Sequence, residues 1–140
     1  MTRDQYPRRM PDIQWRGNFA SDELERLHAA SFNRKPSFTW DWWAQVNQHS
    51  LGWVCARADD ALVGWVNVAW DGAVHAFLID TVVDTAHRRA GIATDLVMVA
   101  RKHAARAGCE WLHVDFDAHL REFYWNACGF TATDAGLIAL

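Results

Sequence analysis

Arg88-x-x-Gly91-x-Ala93 stands between an apolar, β-branched run ending at Val83 and a helical pattern opening at Ile92. The residue types suit anion binding. The first turn of a helix has unpaired N–H groups, and its dipole favours negative charge. Gly91 and Ala93 keep side-chain bulk away from those groups, and Arg88 and Arg89 add fixed positive charge. Strand, tight turn and helix N-terminus in that order make a phosphate cradle. A second set of reactive types follows. His113 and Asp115 alternate onto one face of an extended run, and His75 and Asp80 lie on the run that precedes the cradle.

The elements that must position these residues can be read in chain order. Ile13–Trp15 reads as a short strand. Asp22 reads as an N-cap with Glu25 completing a capping box, ahead of a helix reaching about Phe32. Asn33–Ser37 is a loop, and Thr39 is the candidate cap of a second helix, Trp40–His49. Gly52–Arg57, Leu62–Trp70 and Val74–Val83 read as a three-strand meander. Its turns are Ala58-Asp59-Asp60 and Asp71-Gly72, the latter a type I′ signal. Ile92, Leu96, Val99, Ala100 and His103 keep a 3.6-residue period, and Gly108 ends that helix. Glu110–Phe116 alternates as a strand. Leu120–Cys128 reads as a short helix closed by Gly129, with Phe130–Thr133 and Gly136–Leu140 as last short strands. The class is α/β (α+β): a mixed sheet of six or seven strands with four helices, in one domain over 1–140. A helical crossover makes Val74–Val83 and Glu110–Phe116 parallel neighbours. Their carboxyl ends then border a cleft at the edge the cradle leaves from.

Composition narrows the function classes. A chain that is 51% hydrophobic and 22% charged carries a core. With a net charge of -3 and no basic stripe, nothing favours nucleic acid or a membrane surface as a partner. Met1–Gln5 does not open an apolar leader. Cys55, Cys109 and Cys128 form no CxxC pair and read as reduced thiols of a cytoplasmic protein, with no metal site indicated. Nine Trp residues read as a core of large aromatics, some of which could wall a pocket.

The cradle resembles the Arg/Gln-x-x-Gly-x-Gly/Ala signature of the Gcn5-related N-acetyltransferase (GNAT) family. A second segment, Asp117 to Phe130, looks like that family's ending, with the Phe123-Tyr124 pair and the Gly129-Phe130 end in place. Asp117 and Leu120 depart from it, standing where the family often has Asn and Ala. The resemblance covers roughly Val74–Phe130 well and the rest by element order.

The resemblance implies acetyl-CoA as co-substrate. It implies that the backbone of Val82 and Val83 pairs with the pantetheine arm. Arg88, Arg89, Ala90, Gly91, Ile92, Ala93 and Thr94 would surround the pyrophosphate, and Tyr124 would protonate the departing thiolate. Direct transfer to a primary amine of a small molecule or peptide then needs a base. His113 ranks first, because histidine titrates near neutrality without help. Asp115 ranks second, with Asp80 and His75 behind, because a carboxyl needs a raised pKa or a water relay. Cys128, four residues after Tyr124, reads as packing rather than as an acetyl-carrying nucleophile. The acidic residues Asp80, Asp84, Asp115 and Asp117 suit a cationic acceptor, with Trp40, Trp42 or Trp43 as aromatic walls. Two other readings compete: a non-catalytic acyl-CoA sensor on the same fold, and a Trp-rich interaction domain. A second copy of the chain is a candidate partner.

Overall fold

The computed structural model describes residues 10–140, so the chain's opening at Met1–Gln5 lies outside the described residues. Five strands form one sheet in the order β1-β2-β3-β4-β5. They are β1 (Asp12–Trp15), β2 (Ser50–Ala58), β3 (Ala61–Trp70), β4 (His75–Val83) and β5 (Trp111–Val114). Helices α1 (Ser21–Ser31) and α2 (Trp42–His49) precede β2, and α3 (Ile92–Arg106) joins β4 to β5. All pairings are antiparallel except β4–β5, which is parallel with His75 opposite Trp111. The crossover expectation is met. Among the described residues the sheet has five strands rather than six or seven, because 129–140 forms no strand and its apolar residues Leu137, Ile138 and Leu140 are exposed.

Two cores clasp the sheet. On one face Ile92, Leu96, Val97, Ala100 and Ala104 of α3 pack over Val54, Val66, Val68, Ala76 and Leu78. Gly64 on β3 permits this approach, since a Cβ there would meet Ile92 Cγ2 at 3.0 Å. On the other face Phe19, Leu24, Trp42, Trp53 and Trp65 pack with Val82, and Phe19 meets the rings of Trp53 and Trp65 edge-on at 5.9 and 5.6 Å. Much of the unusual tryptophan content is therefore core. Trp15 is also structural, stacked on His103 at 4.4 Å.

Three local expectations change. Helix α1 starts at Ser21, and Glu23 rather than Glu25 reaches back to the Ala20 N–H (3.1 Å). Asp41, not Thr39, caps α2 by accepting from the Ala44 N–H (3.0 Å). The two-residue turn with both φ values positive is Asp59-Asp60. The Asp71-Gly72 loop is longer, and the Asp71 carboxylate accepts from Ala73 N–H (2.7 Å) and His75 N–H (3.2 Å). The carboxylate oxygen competes for these amides and replaces the I′ geometry with an Asx turn.

Candidate active site

The site forms where β4 and β5 part. Their pairing ends at Leu78–Val114, so the β5-facing edge of β4 beyond Leu78 is free. A bulge in β4 accentuates the opening. Trp65 pairs with Val82 and Asn67 with Ile79, leaving Asp80 and Thr81 opposite one residue of β3, and Asp80 adopts φ 57°. Bulges turn strand ends and re-aim side chains.

Beyond Val83 a short turn (Thr85–His87) leads to Gly91, in the left-handed region at φ 79°, and so to α3. No atom lies within 4 Å of where a Gly91 Cβ would be, so the space in front of α3 is open. No side chain caps α3, and the N–H groups of Ile92, Ala93 and Thr94 donate to no backbone oxygen. A cavity of about 190 Å³ opens there, walled by Val83, His87, Arg88, Arg89, Gly91, Ile92, Ala93, Thr94 and Phe123. Uncommitted amides at a helix start, two arginines and free space are the features an anion such as pyrophosphate requires. Eight of the cradle residues expected from sequence behave as follows. Val83, Arg88, Arg89, Gly91, Ile92, Ala93 and Thr94 line the cavity, whereas Ala90 is exposed outside it. The Val82 side chain is in the tryptophan core, which leaves only its backbone toward the cleft. His87 and Phe123 were not assigned from sequence. His87 Nδ1 lies 2.8 Å from Asp84 Oδ2, which anchors the turn.

Tyr124 occupies a π-helical segment, Glu122–Ala127, where the Cys128 N–H reaches the Phe123 carbonyl (3.0 Å). Such wide turns recur at functional positions. The ring is buried, stacked on Phe116 (4.6 Å) and met edge-on by Phe123 (4.7 Å). Burial pushes its phenol above the usual range; the neighbouring Thr81 side chain opposes this, while Cys128 and the negative charge of Asp115 add to it. The hydroxyl therefore stays protonated near neutrality and sits against the β4 bulge. Cys128 is buried and its thiol is also pushed up by burial, which suits packing rather than nucleophilic attack.

The other expected residues separate. His113 Nε2 lies 2.8 Å from His75 Nδ1, and its ring stacks on Phe77 at 4.7 Å. Both histidines thus stand on the paired part of β4 and β5, before the strands diverge. Asp115 is exposed one residue past β5, close enough to influence Tyr124. Asp80 faces the opposite way, into a second cavity of about 440 Å³ bounded by α1, the 32–41 loop and α2. There His28 Nε2 meets Asp80 Oδ1 at 2.9 Å, and Trp40 and Trp42 form walls. Trp43 lies outside this wall, edge-on to Phe19 and Trp53 at 5.1 and 5.4 Å. Sequence reading missed His28, Glu25, Arg34 and Thr81. Only the helical spacing of His28 was visible, and that spacing says nothing about a partner 52 positions away. Among the described residues no three His, Cys, Asp or Glu side chains are grouped to hold a metal, and no helix is long and apolar enough to cross a membrane.

The model of the acetyltransferase (GNAT) family matches residues 14–130. No curated protein sequence matches the chain. Among solved structures, a probable acetyltransferase from meticillin-resistant Staphylococcus aureus superposes with TM-score 0.75 at 16% identity, over 94% of this chain and 98% of that one. Glucosamine-6-phosphate N-acetyltransferase from Arabidopsis thaliana gives 0.75 at 14% identity, over 92% and 98%. An aminoglycoside acetyltransferase from an uncultured soil metagenomic sample, in complex with sisomicin, gives 0.71 at 19% identity, over 94% and 95%.

Proposed function

Because the chain belongs to the GNAT family of acetyltransferases, we propose that it moves an acetyl group from acetyl-coenzyme A to a primary amine of a small molecule or peptide by direct transfer. The observation that carries this reading is the β4 bulge. Its two residues address two groups: the Thr81 side chain neighbours Tyr124, and Asp80 borders the larger cavity. A donor thioester and an acceptor amine entering from the two sides would meet at one point of the sheet. Two structural neighbours, a glucosamine-6-phosphate N-acetyltransferase and an aminoglycoside acetyltransferase bound to sisomicin, support an amine acceptor.

In this reading the free amides of Ile92–Thr94 with Arg88 and Arg89 hold the pyrophosphate, and the unpaired edge of Val82–Val83 takes the pantetheine arm as an added strand would. The amine nitrogen forms a bond to the acetyl carbon, and the carbon–sulfur bond breaks with its electron pair leaving on sulfur. Tyr124 gives its proton to that sulfur. The proton lost by the nitrogen goes to Asp115 or His113, directly or through water, and solvent restores Tyr124. The acceptor arrives as the ammonium that Asp80 suits, gives one proton to solvent to free the nitrogen lone pair before attack, and meets Trp40 and Trp42 with its apolar part. Residues Phe77, Ile79 and Trp111 leave an exposed apolar area on the sheet, and a second copy of the chain is the partner we propose for it.

Thiol release from acetyl-coenzyme A in the presence of a panel of primary amines tests the reading. Release that depends on an amine, and that disappears in Gly91→Glu, is expected. Coenzyme A binding without turnover on any amine would establish a non-catalytic acyl-CoA module instead.

A further inference from the structure

The larger cavity is lined by a chain of four side chains whose hydrogen-bond directions can be assigned in only one way. Glu25 is almost fully buried, at 2% exposure, and accepts from both Arg34 terminal nitrogens (2.7 Å each), the Ser37 N–H (2.6 Å) and Trp42 Nε1–H (3.0 Å). Arg34 Nη2 also lies 2.9 Å from His28 Nδ1. A guanidinium can only donate, so Nδ1 accepts and the ring carries its hydrogen on Nε2. That nitrogen faces Asp80 Oδ1 at 2.9 Å, so it donates to the carboxylate. Phe32 and Trp42 hold the imidazole from two sides, at ring separations of 4.5 and 4.9 Å.

Charge follows from these directions. Glu25 and Arg34 cancel, His28 contributes a hydrogen bond with no charge, and one negative charge is left at Asp80 on the cavity wall. Arg34 is committed to Glu25 and is not available to attract an anion. We propose that His28 is a positioning residue, a neutral donor locked by Arg34 and Glu25, which holds the Asp80 carboxylate against the ammonium group of the acceptor and so makes the cavity selective for cationic amines. This rests on the acetyl-transfer reading for the identity of the acceptor, but the ammonium site can be measured without turnover.

The structure separates this role from proton shuttling. A shuttle would have to take a proton on Nδ1, where Arg34 already points a hydrogen. Glutamine at position 28 offers an NH2 donor and a carbonyl acceptor but cannot carry a proton in passage. His28→Gln therefore preserves a positioning device and destroys a shuttle; His28→Leu destroys both. Asp80→Asn keeps the shape of the carboxylate and tolerates the positive φ that Asp80 adopts.

The probe is 2-phenylethylamine, an ammonium on a flat apolar body, with 2-phenylethanol as its uncharged counterpart. Binding is read from the indole N–H signals of Trp40 and Trp42 in isotope-labelled protein, and coenzyme A affinity is measured alongside. The ammonium should shift both signals and the alcohol should bind about tenfold more weakly or worse. Asp80→Asn and His28→Leu should each lose about tenfold for the ammonium, with His28→Gln within about threefold of the parent and coenzyme A affinity unchanged throughout. In turnover with an amine substrate, the same losses should fall on KM rather than kcat. Failure of the ammonium to perturb Trp40 and Trp42, equal binding of the alcohol, or His28→Gln as damaging as His28→Leu overturns the proposal. Ammonium binding with these dependences in a protein that transfers no acetyl group would sink the transfer reading and leave the ammonium site standing.

Discussion

The two cavities on either side of the β4 bulge are built from different materials. The cradle before α3 is backbone: unpaired amides, a left-handed glycine and open space, with two arginines at its rim. The cavity beneath α1 and α2 is side chain: Glu25, His28, Arg34 and Asp80 linked end to end, walled by tryptophan. The first is contained in one short segment. The second needs residues from α1, the following loop and β4 to arrive together. A backbone cradle tolerates changes of side chain as long as the space stays open. A side-chain network fails when any member is removed, because its neighbours are left buried and unpaired.

The largest effect expected is at the cradle's single conformational requirement. Gly91→Glu places bulk and negative charge in the open space, and coenzyme A affinity should fall by roughly a hundredfold or more, about 2.7 kcal/mol. Gly91→Asn is the control, since Asn accepts a positive φ with less charge and bulk, and it should retain most of the affinity by calorimetry. Loss of binding in both would show that glycine itself, not openness, is what the cradle needs.

The bulge that joins the two regions is probed by Tyr124→Phe. The packing against Phe116 and Phe123 stays, and only the hydroxyl beside Thr81 is lost. We expect kcat to drop by at least ~10-fold, with coenzyme A affinity nearly unchanged, as for a lost general acid. Full turnover in Tyr124→Phe would reduce the tyrosine to a core aromatic.

The side-chain region should differ from the cradle in its response to acid. Arg34 first, then the Ser37 and Trp42 donors, hold Glu25 down at about 2 from an ordinary 4.5, although burial opposes them. A carboxyl with a folded value below its unfolded one stabilises above the unfolded pKa. That contribution, on the order of 3 kcal/mol, is then lost as pH falls from about 4.5 toward 2. Urea midpoints measured across that window should fall steeply in the parent protein. In Glu25→Gln they should be lower at neutral pH and flatter across the window. Parallel curves for the two proteins would remove Glu25 from the account.

The smallest effect expected is at the cradle's rim. Arg88 and Arg89 are exposed, and Arg88 Nε reaches only the Val83 carbonyl at 3.4 Å. Exposed charges of this kind are screened. Arg88→Ala should therefore weaken coenzyme A binding by only about threefold to tenfold. The loss should shrink further at high salt, in contrast to Gly91→Glu. A loss in Arg88→Ala as large as that in Gly91→Glu would mean that the cradle is a side-chain site after all.

Legibility in the sequence followed the same division. The order of helices and strands, the parallel β4–β5 pair and the position of the cradle were all available from period, punctuation and one motif. These features depend on residues a few positions apart: the apolar face of α3, the left-handed Gly91 that starts it, the β-branched run into Val83. The same local logic placed the I′ turn at Asp71-Gly72, where the Asp71 carboxylate prevents it, and strands at 130–140, where nothing pairs with them. Alternation put His113 and Asp115 on one face, yet said nothing of how far the strands stay together. His113 is taken up by His75 and Phe77, while Asp115 stands where the strands have already diverged.

By itself the sequence determined that a helix opens after a glycine between Val83 and Ile92, because a helix start and a glycine carry their own geometry wherever they occur. Only the tertiary structure decided which carboxylate on the larger cavity is left without a cationic partner. Asp80 is aimed there by a bulge that the register of β3 against β4 imposes, and is held by a histidine 52 positions away on α1. Side-chain pairs of that separation are set by how helices settle on a sheet, a packing outcome that no local pattern encodes.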